Sequence, residues 1–233
     1  MDAFSKEFHD FLLAQGASLC GFGDLSGIAE GGLNCGVSVA VALPVEILQS
    51  IENGPSRIYF DAYHDINRKL DGIVTAGADY LAGKGYRAYA QTRANVKEYE
   101  GYRTGLPHKT VATRAGLGWI GKSALLVTRE YGPAIRLSSL LTDAPLACAQ
   151  PMDHSKCGSC TACMDHCPGK AISGKLWDVH MDRDEFFDAA ACRRAARALS
   201  KSLLNEEISL CGKCIEICPY TKRYVDYNSA IML

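Results

Sequence analysis

The residues with the most chemistry to offer are the cysteines. The chain has eleven, and nine of them fall between Cys148 and Cys218. Four occur in the run CGSCTACMDHCPG as Cys157, Cys160, Cys163 and Cys167-Pro168, spaced C-x2-C-x2-C-x3-C-P. That spacing holds a 4Fe-4S cluster in bacterial two-cluster proteins, where the fourth cysteine ligates the other cluster. Three thiolates two residues apart on a tight loop reach three corners of one cubane, and the fourth enters a helix and points away. The small residues Gly158, Ser159, Thr161 and Ala162 let backbone N–H groups approach the sulfurs. A second group, Cys211, Cys214 and Cys218-Pro219, follows Cys192. By the same crossing rule, Cys157, Cys160, Cys163 and Cys218 hold one cluster, and Cys167, Cys192, Cys211 and Cys214 hold the other. Structural zinc also uses CxxC pairs, but it does not account for two x3-Cys-Pro endings. The expected metal content is two 4Fe-4S clusters.

Cys20, Cys35 and Cys148 remain outside these sets and are expected to be small buried hydrophobes. Net charge is −1 with a pI near 6.6, so no basic face for nucleic acid is expected. The first residues, MDAFSKEFHDFLLAQG, lack a signal peptide's basic-then-apolar order. No apolar run reaches the roughly 18 residues of a membrane span. A cytoplasmic location with no membrane partner is therefore expected, and in that compartment clustered cysteines point to metal or redox chemistry.

The stretch GLGWIGKS (116–123) matches the phosphate-loop pattern G-x-x-x-x-G-K-S/T. That pattern needs a strand before it and a helix after it. Here HKTVATRA, more like a helical turn, precedes it, and the β-branched SALLVTRE follows. The alternatives are backbone suited to another large anionic or amide-bearing ligand, or a structural turn.

The elements that must position these residues alternate. Phe4, Phe8, Phe11 and Leu12 have helical spacing, with Gly16 as a stop. GVSVAVALP (36–44) reads as a strand. Residues from Arg57 to Lys84 read as one long helix, with Gly77 the gap in its apolar stripe and Gly85 its end. YRAYAQ (86–91) reads as a strand, 92–110 as polar and without period, and 123–143 as two strands around Tyr131-Gly132-Pro133. This pattern predicts an α+β protein: an N-terminal mixed-sheet α/β domain, residues 1–147, then a two-cluster ferredoxin-like domain, residues 148–233.

RAGLGWIGKSALLVTREYG, then LLTD, then the eight cysteines in this order, resembles the epoxyqueuosine reductases, which are themselves similar to the reductive dehalogenases. YHDINRKL (63–70) is a weaker match. The resemblance implies an N-terminal fold of the nitroreductase and cobalamin-processing kind. It also implies cobalamin as a cofactor fed by the clusters, a low-potential donor such as ferredoxin or flavodoxin, and Gly116, Gly118, Trp119, Gly121 and Lys122 as cofactor contacts. Where that family has a catalytic Asp after a strand, this chain has Gln91, and an amide cannot supply a proton. Substitute donors are Tyr102, beside Arg103, and Tyr63 and His64. The family's C-terminal repeat module, which grips tRNA, has no counterpart before Leu233, so a small molecule rather than epoxyqueuosine in tRNA is the expected substrate. The alternative is a non-catalytic electron carrier serving a separate corrinoid or flavin enzyme. Oligomeric state is not legible. The basic run Arg193, Arg194, Arg197 and Lys201 would suit an acidic donor or a solvated helix face.

Overall fold

The computed structural model describes residues 1–231. In chain order the elements are α1 (Ala3–Ala14), β1 (Leu19–Asp24), β2 (Cys35–Ala42), α2 (Val45–Gln49), α3 (Arg57–Gly83), β3 (Ala88–Ala90), β4 (Glu98–Tyr99), β5 (Arg103–Thr104) and α4 (His108–Arg114). After these come β6 (Trp119–Ile120), β7 (Leu126–Val127), β8 (Ile135–Thr142), α5 (Ala162–Asp165), α6 (Ala189–Leu204), α7 (Lys213–Glu216) and α8 (Pro219–Ile231). No helix among the described residues is long and apolar enough to cross a membrane.

The fold is mixed α/β with small sheets, and the chain forms two compact units that are not sequential. One comprises Met1–Ala42, Asp65–Gly118 and Arg136–Met152; the other comprises Leu43–His64, Trp119–Ile135 and Asp153–Leu233. The expected division after residue 147 lies near one of these boundaries. It misses the two earlier segments, 43–64 and 119–135, which pack with the cysteine-rich part.

The first unit is built on a four-stranded sheet in the order β1-β2-β8-β3. β1 runs antiparallel to β2, with Phe22 opposite Val37, and β3 runs antiparallel to β8, with Ala90 opposite Leu140. β2 lies between two neighbours and its first seven residues are all buried, so both faces of the strand are covered. β1 carries two glycines and gave no strand signal in the sequence. They are there for packing: a Cβ at Gly23 would stand 2.5 Å from the Arg114 carbonyl carbon of α4. Gly77 serves α3 in the same way, because a Cβ there would come within 2.8 Å of Leu140 Cδ2. Phe8, Leu12, Phe22, Val37 and Leu140 fill the core that results. The stretch without period holds the β4–β5 pair and the start of α4.

A buried polar seam crosses this core. Ser139 Oγ donates to Gln91 Oε1 at 2.5 Å, and His108 Nδ1 lies 2.8 Å from the same hydroxyl. The hydroxyl has one proton and gives it to the amide, so His108 Nδ1 is the donor to Ser139. Gln91 Nε2 donates onward to the Leu106 carbonyl at 3.3 Å. Burial pushes the His108 pKa down to about 4, with Arg136 reinforcing the drop and Asp71 opposing it.

In the second unit β6 pairs with β7, with Trp119 opposite Val127. The expected pairing of two strands across Tyr131-Gly132-Pro133 is therefore corrected. β7 turns back on β6, and only the single bridge Thr128–Gly132 closes the later turn.

Two expectations follow. Gly23→Ala forces a methyl into backbone that cannot yield, and should destabilise the protein by about 1–3 kcal/mol in chemical denaturation. A histidine held neutral in the fold stabilises it above its unfolded pKa and loses that contribution as pH falls through 6.5 towards about 4. His108→Asn should remove a segment of acid sensitivity worth up to ~3 kcal/mol over that window, seen as a difference between the two denaturation-versus-pH curves.

Candidate metal centre

The eight clustered cysteines all lie in the second unit, and all but Cys192 are on pieces of chain too short to be stable alone. Cys157 and Cys160 sit on the loop before α5, where Gly158 takes a left-handed φ of 54°. Cys163 is in α5 and Cys167 just beyond it; Cys192 is on the first turn of α6; Cys214 is in α7, with Cys211 just before it and Cys218 just after. α5 and α7 have four residues each. An isolated helix needs roughly 12–15 residues to persist in water, so neighbours must hold these turns in place. At Gly212 (φ 84°) a Cβ would press to 2.9 Å from Ile51 Cδ1.

Electrostatics sorts the thiols. Burial first, then Cys157, Cys218 and Cys160, push the Cys163 thiol up to about 11. Burial also raises Cys218, with Cys157 and Cys160 adding to it. Burial, then Cys167 and Cys211, raise Cys192 to about 11. Cys214 is driven up by desolvation of its thiol and then by Cys211 and Cys192, with smaller effects from Cys163 and Cys167. The neighbours of each thiol thus come from segments far apart in sequence. Cys218 has the first group for company, and Cys167 has the second.

Backbone donors point at several of these sulfurs. Ala171 N–H reaches Cys167 Sγ at 3.4 Å. The N–H groups of Tyr220 and Thr221 face Cys218, and that of Lys213 faces Cys211. Such donors favour thiolate over thiol. Among the described residues no group of three or more His, Cys, Asp or Glu is arranged around a single metal ion. Clustered soft sulfur donors are the type that an iron–sulfur core takes.

The 116–122 segment does not form a phosphate loop. Gly121 N–H donates to Leu125 O and Ala124 N–H to Gly121 O, both at 2.9 Å, which closes a tight turn between β6 and β7 with Ala124 left-handed. No helix follows. Trp119 is buried, meets Tyr220 edge-on at 5.1 Å, and leaves its Nε1 without an acceptor among the described residues. A Cβ on Gly121 would meet Val127 at 2.7 Å and Cys157 Sγ at 3.5 Å. Lys122 is 6% exposed, and its Nζ donates to Cys160 O at 2.8 Å. Gly116, in the first unit, is backed by Ala149 and the Gln150 carbonyl. Gly118 ends the first unit's middle segment. Trp119, Gly121 and Lys122, expected as cofactor contacts, thus pack against other parts of the second unit.

The candidate proton donors fall in different units. Tyr102 is a half-exposed residue of the first unit, at the β4–β5 turn with a φ of 59°. Tyr63 and His64 are half-buried on α3 in the second unit, and the His64 ring packs against Phe60 at 4.6 Å and Tyr63 at 5.2 Å. A cleft of about 160 Å³ in the first unit is lined by Gln91 with Tyr89, Asn95, Lys97, Tyr99 and Leu106; Tyr102 is not part of it. Among the remaining thiols, Cys20 and Cys35 are buried as expected but Cys148 is exposed, because it lies on the irregular segment after β8; its Sγ is 3.8 Å from that of Cys35. On α6, Arg197 and Lys201 both reach Glu207, at 3.5 and 3.7 Å.

Residues 156–221 match the family described as the 4Fe-4S double cluster binding domain. The epoxyqueuosine reductase of Lactococcus garvieae is 34% identical over 170 residues, covering 70% of this chain and 42% of that protein. The Pseudomonas aeruginosa enzyme is 32% identical over 161 residues, covering 69% and 41%. The chain thus matches about two-fifths of the length of these relatives. Among solved structures, a catabolic reductive dehalogenase in complex with 3-bromo-4-hydroxybenzoic acid superposes with a TM-score of 0.68 at 18% identity, over 91% of this chain and 31% of that one. An epoxyqueuosine reductase with an epoxyqueuosine-modified tRNA stem loop gives 0.59 at 20%, over 94% and 65%. The expectation that set tRNA aside runs against that neighbour, which is described with a tRNA stem loop. The chain carries a double-cluster domain, is similar in sequence to the epoxyqueuosine reductases, and shares its fold with them and with the reductive dehalogenases.

Proposed function

We propose that the chain is an iron–sulfur reductase whose second unit carries two 4Fe-4S clusters, one on Cys157, Cys160, Cys163 and Cys218 and the other on Cys167, Cys192, Cys211 and Cys214. The observation that carries this reading is the company each thiol keeps: Cys163 and Cys218 share Cys157 and Cys160 as electrostatic neighbours, while Cys192 and Cys214 share Cys167 and Cys211. Thiols so buried and so close ionise together only when positive charge sits among them, which an iron core provides. A bound cluster takes up and releases one electron at a time. The protein positions the sulfurs, aims backbone N–H groups at them and limits water. A low-potential donor of the ferredoxin or flavodoxin class supplies the electrons, and a substrate cleft at Gln91 in the first unit receives the compound to be reduced.

Cobalamin enters this reading through similar proteins only: one reductive dehalogenase structure is described as suggesting a mechanism for B12-dependent dehalogenation. Of the residues the resemblance would set against it, Trp119 packs on Tyr220, Gly121 on Val127, and Lys122 donates to the Cys160 carbonyl. The second reading, an electron carrier for a separate corrinoid or flavin enzyme, is favoured by one observation. Gln91 offers an amide where the resemblance calls for an acid, and its carbonyl is already committed to Ser139. Anaerobic titration of the full chain with cob(II)alamin and with flavin mononucleotide separates the readings: saturable binding of either supports a reductase, and absence of both supports the carrier. Substrate assays should include an epoxyqueuosine-modified tRNA stem loop beside small organohalides.

The crossed ligand sets make a sharper prediction. Cys218→Ala should cost the protein about half of its iron, and so should Cys192→Ala. The first should spare the cluster on Cys211 and Cys214, although those residues are its nearest sequence neighbours. Iron and sulfide counts with EPR of the reduced protein check this; loss of all iron on Cys218→Ala with retention on Cys192→Ala would refute the crossing.

A further inference from the structure

Lys122 is the most unusual cation in the second unit. It sits at the tip of the β6–β7 turn, where a lysine ordinarily points into water, yet only 6% of it is exposed. Buried lysines are rare and are normally paired with a carboxylate. This one forms no ion pair among the described residues, and its one hydrogen bond goes to a neutral group, the Cys160 carbonyl, at 2.8 Å. An ammonium has three donors, so two N–H bonds and a full positive charge are left uncompensated by the protein.

The surroundings indicate what compensates them. Cys160 O belongs to the loop carrying Cys157, Cys160 and Cys163. The residue before Lys122, Gly121, is backed by Cys157 Sγ, which a Cβ there would meet at 3.5 Å. Trp119, on the same hairpin, presses on Tyr220, two residues past Cys218. The hairpin therefore lies against the ligand set of one cluster. The other set also has a lysine near it, Lys213, but that ammonium is held by Glu216 Oε2 at 2.8 Å and by the Glu52 carbonyl at 3.0 Å. Its charge is cancelled locally.

We propose that Lys122 is the fixed counter-charge of the cluster on Cys157, Cys160, Cys163 and Cys218, and that it makes this cluster the easier of the two to reduce. This rests on the cluster reading above and extends it. A thiolate-ligated cubane is an anion whose negative charge grows by one on reduction, and cluster potentials follow net charge and hydrogen bonding to the sulfurs. A positive charge beside it in a medium of low dielectric favours the reduced form. Electrons entering the unit then come to rest on the Lys122 cluster, which gives the pair a direction. Lys122 acts through the cluster, and so is a positioning residue for electrons rather than a catalytic one.

The test is potentiometry. The full chain, assembled with its clusters under anaerobic conditions, is titrated with dithionite and followed by EPR, as wild type, Lys122→Gln and Lys122→Arg. Gln can still donate to Cys160 O but carries no charge. Its higher potential should fall by a tenfold or greater change in the reduction equilibrium, about 59 mV for one electron, while the lower one moves much less. Arg should keep both potentials near their wild-type values. Loss of half the iron in Gln with full iron in Arg also supports the charge role. The proposal is overturned if fully loaded Gln protein keeps both potentials, if the lower potential is the one that moves, or if Arg shows the same potential shift or the same iron loss as Gln. A wild-type protein holding zinc and no iron would instead sink the cluster reading itself, so the two failures are distinguishable.

Discussion

The second unit is organised by eight clustered thiols, and burial favours the protonated form of several of them. Cys163 and Cys192 are pushed to about 11 and Cys214 higher still, each by burial first and by other cysteines next. Soft, buried donors in each other's company are stable as thiols or as ligands to a positively charged core, and as little else. The rest of the unit follows from that constraint. Its two shortest helices, α5 and α7, have four residues each and run directly into the x3-Cys-Pro endings. Apolar support comes from Trp119, Ile51, Tyr59, Phe186 and Leu210, with Ile51 and Tyr59 packed against Gly212. Metal ligation would add to that support by tying distant loops together. The first unit has an ordinary core of aromatic and branched aliphatic side chains on both sides of β2.

The same constraint explains why segments distant in sequence belong to the cysteine-rich unit. Short cysteine-bearing loops need scaffolding from outside themselves. The 119–135 segment supplies it: Gly132 is so close to Tyr220 and Thr221 that a Cβ would stand 2.6 Å from the Thr221 nitrogen. Segment 43–64 does the same, with Arg57 donating to Leu204 O at 2.8 Å and to Glu206 at 3.1 Å. Each is a neutral-backbone or partly exposed contact of small individual worth. Together they fix where α6 ends and where Cys211 begins its turn.

Legibility in the sequence tracked the range of the interaction responsible. The cysteine spacing was readable because ligand geometry is local, and α3 because a 3.6-residue period over 27 residues survives the one gap at Gly77. β1 was not readable: Gly21 and Gly23 suppress strand propensity for the sake of a neighbour, α4, whose approach no local pattern announces. The pairing of β7 with β6 was missed because Tyr131-Gly132-Pro133 looks like a hairpin turn. The tighter Gly121–Ala124 turn needs a left-handed alanine, which sequence does not advertise. The burial of Lys122 was not readable for a related reason. A lysine after glycine in GKS suggests phosphate or water, and only the fold reveals that the turn tip is covered.

Gln91 shows what the first unit does to its candidate cleft. The residue is buried at 7% exposure, and its carbonyl and one amide hydrogen are spoken for by Ser139 and Leu106. His108 is kept neutral, with Nδ1–H directed at Ser139, so every proton in the seam points one way, from imidazole through hydroxyl to amide. A chain so directed ends on an amide oxygen and cannot pass a proton outward at neutral pH. What it does is hold Gln91 still beside a cleft bordered by Tyr89, Tyr99 and Lys97, as an uncharged amide that supplies no proton. The acid in any reduction at this cleft must therefore come from the tyrosines, the lysine or solvent, and not from the position where the resemblance puts a carboxyl group.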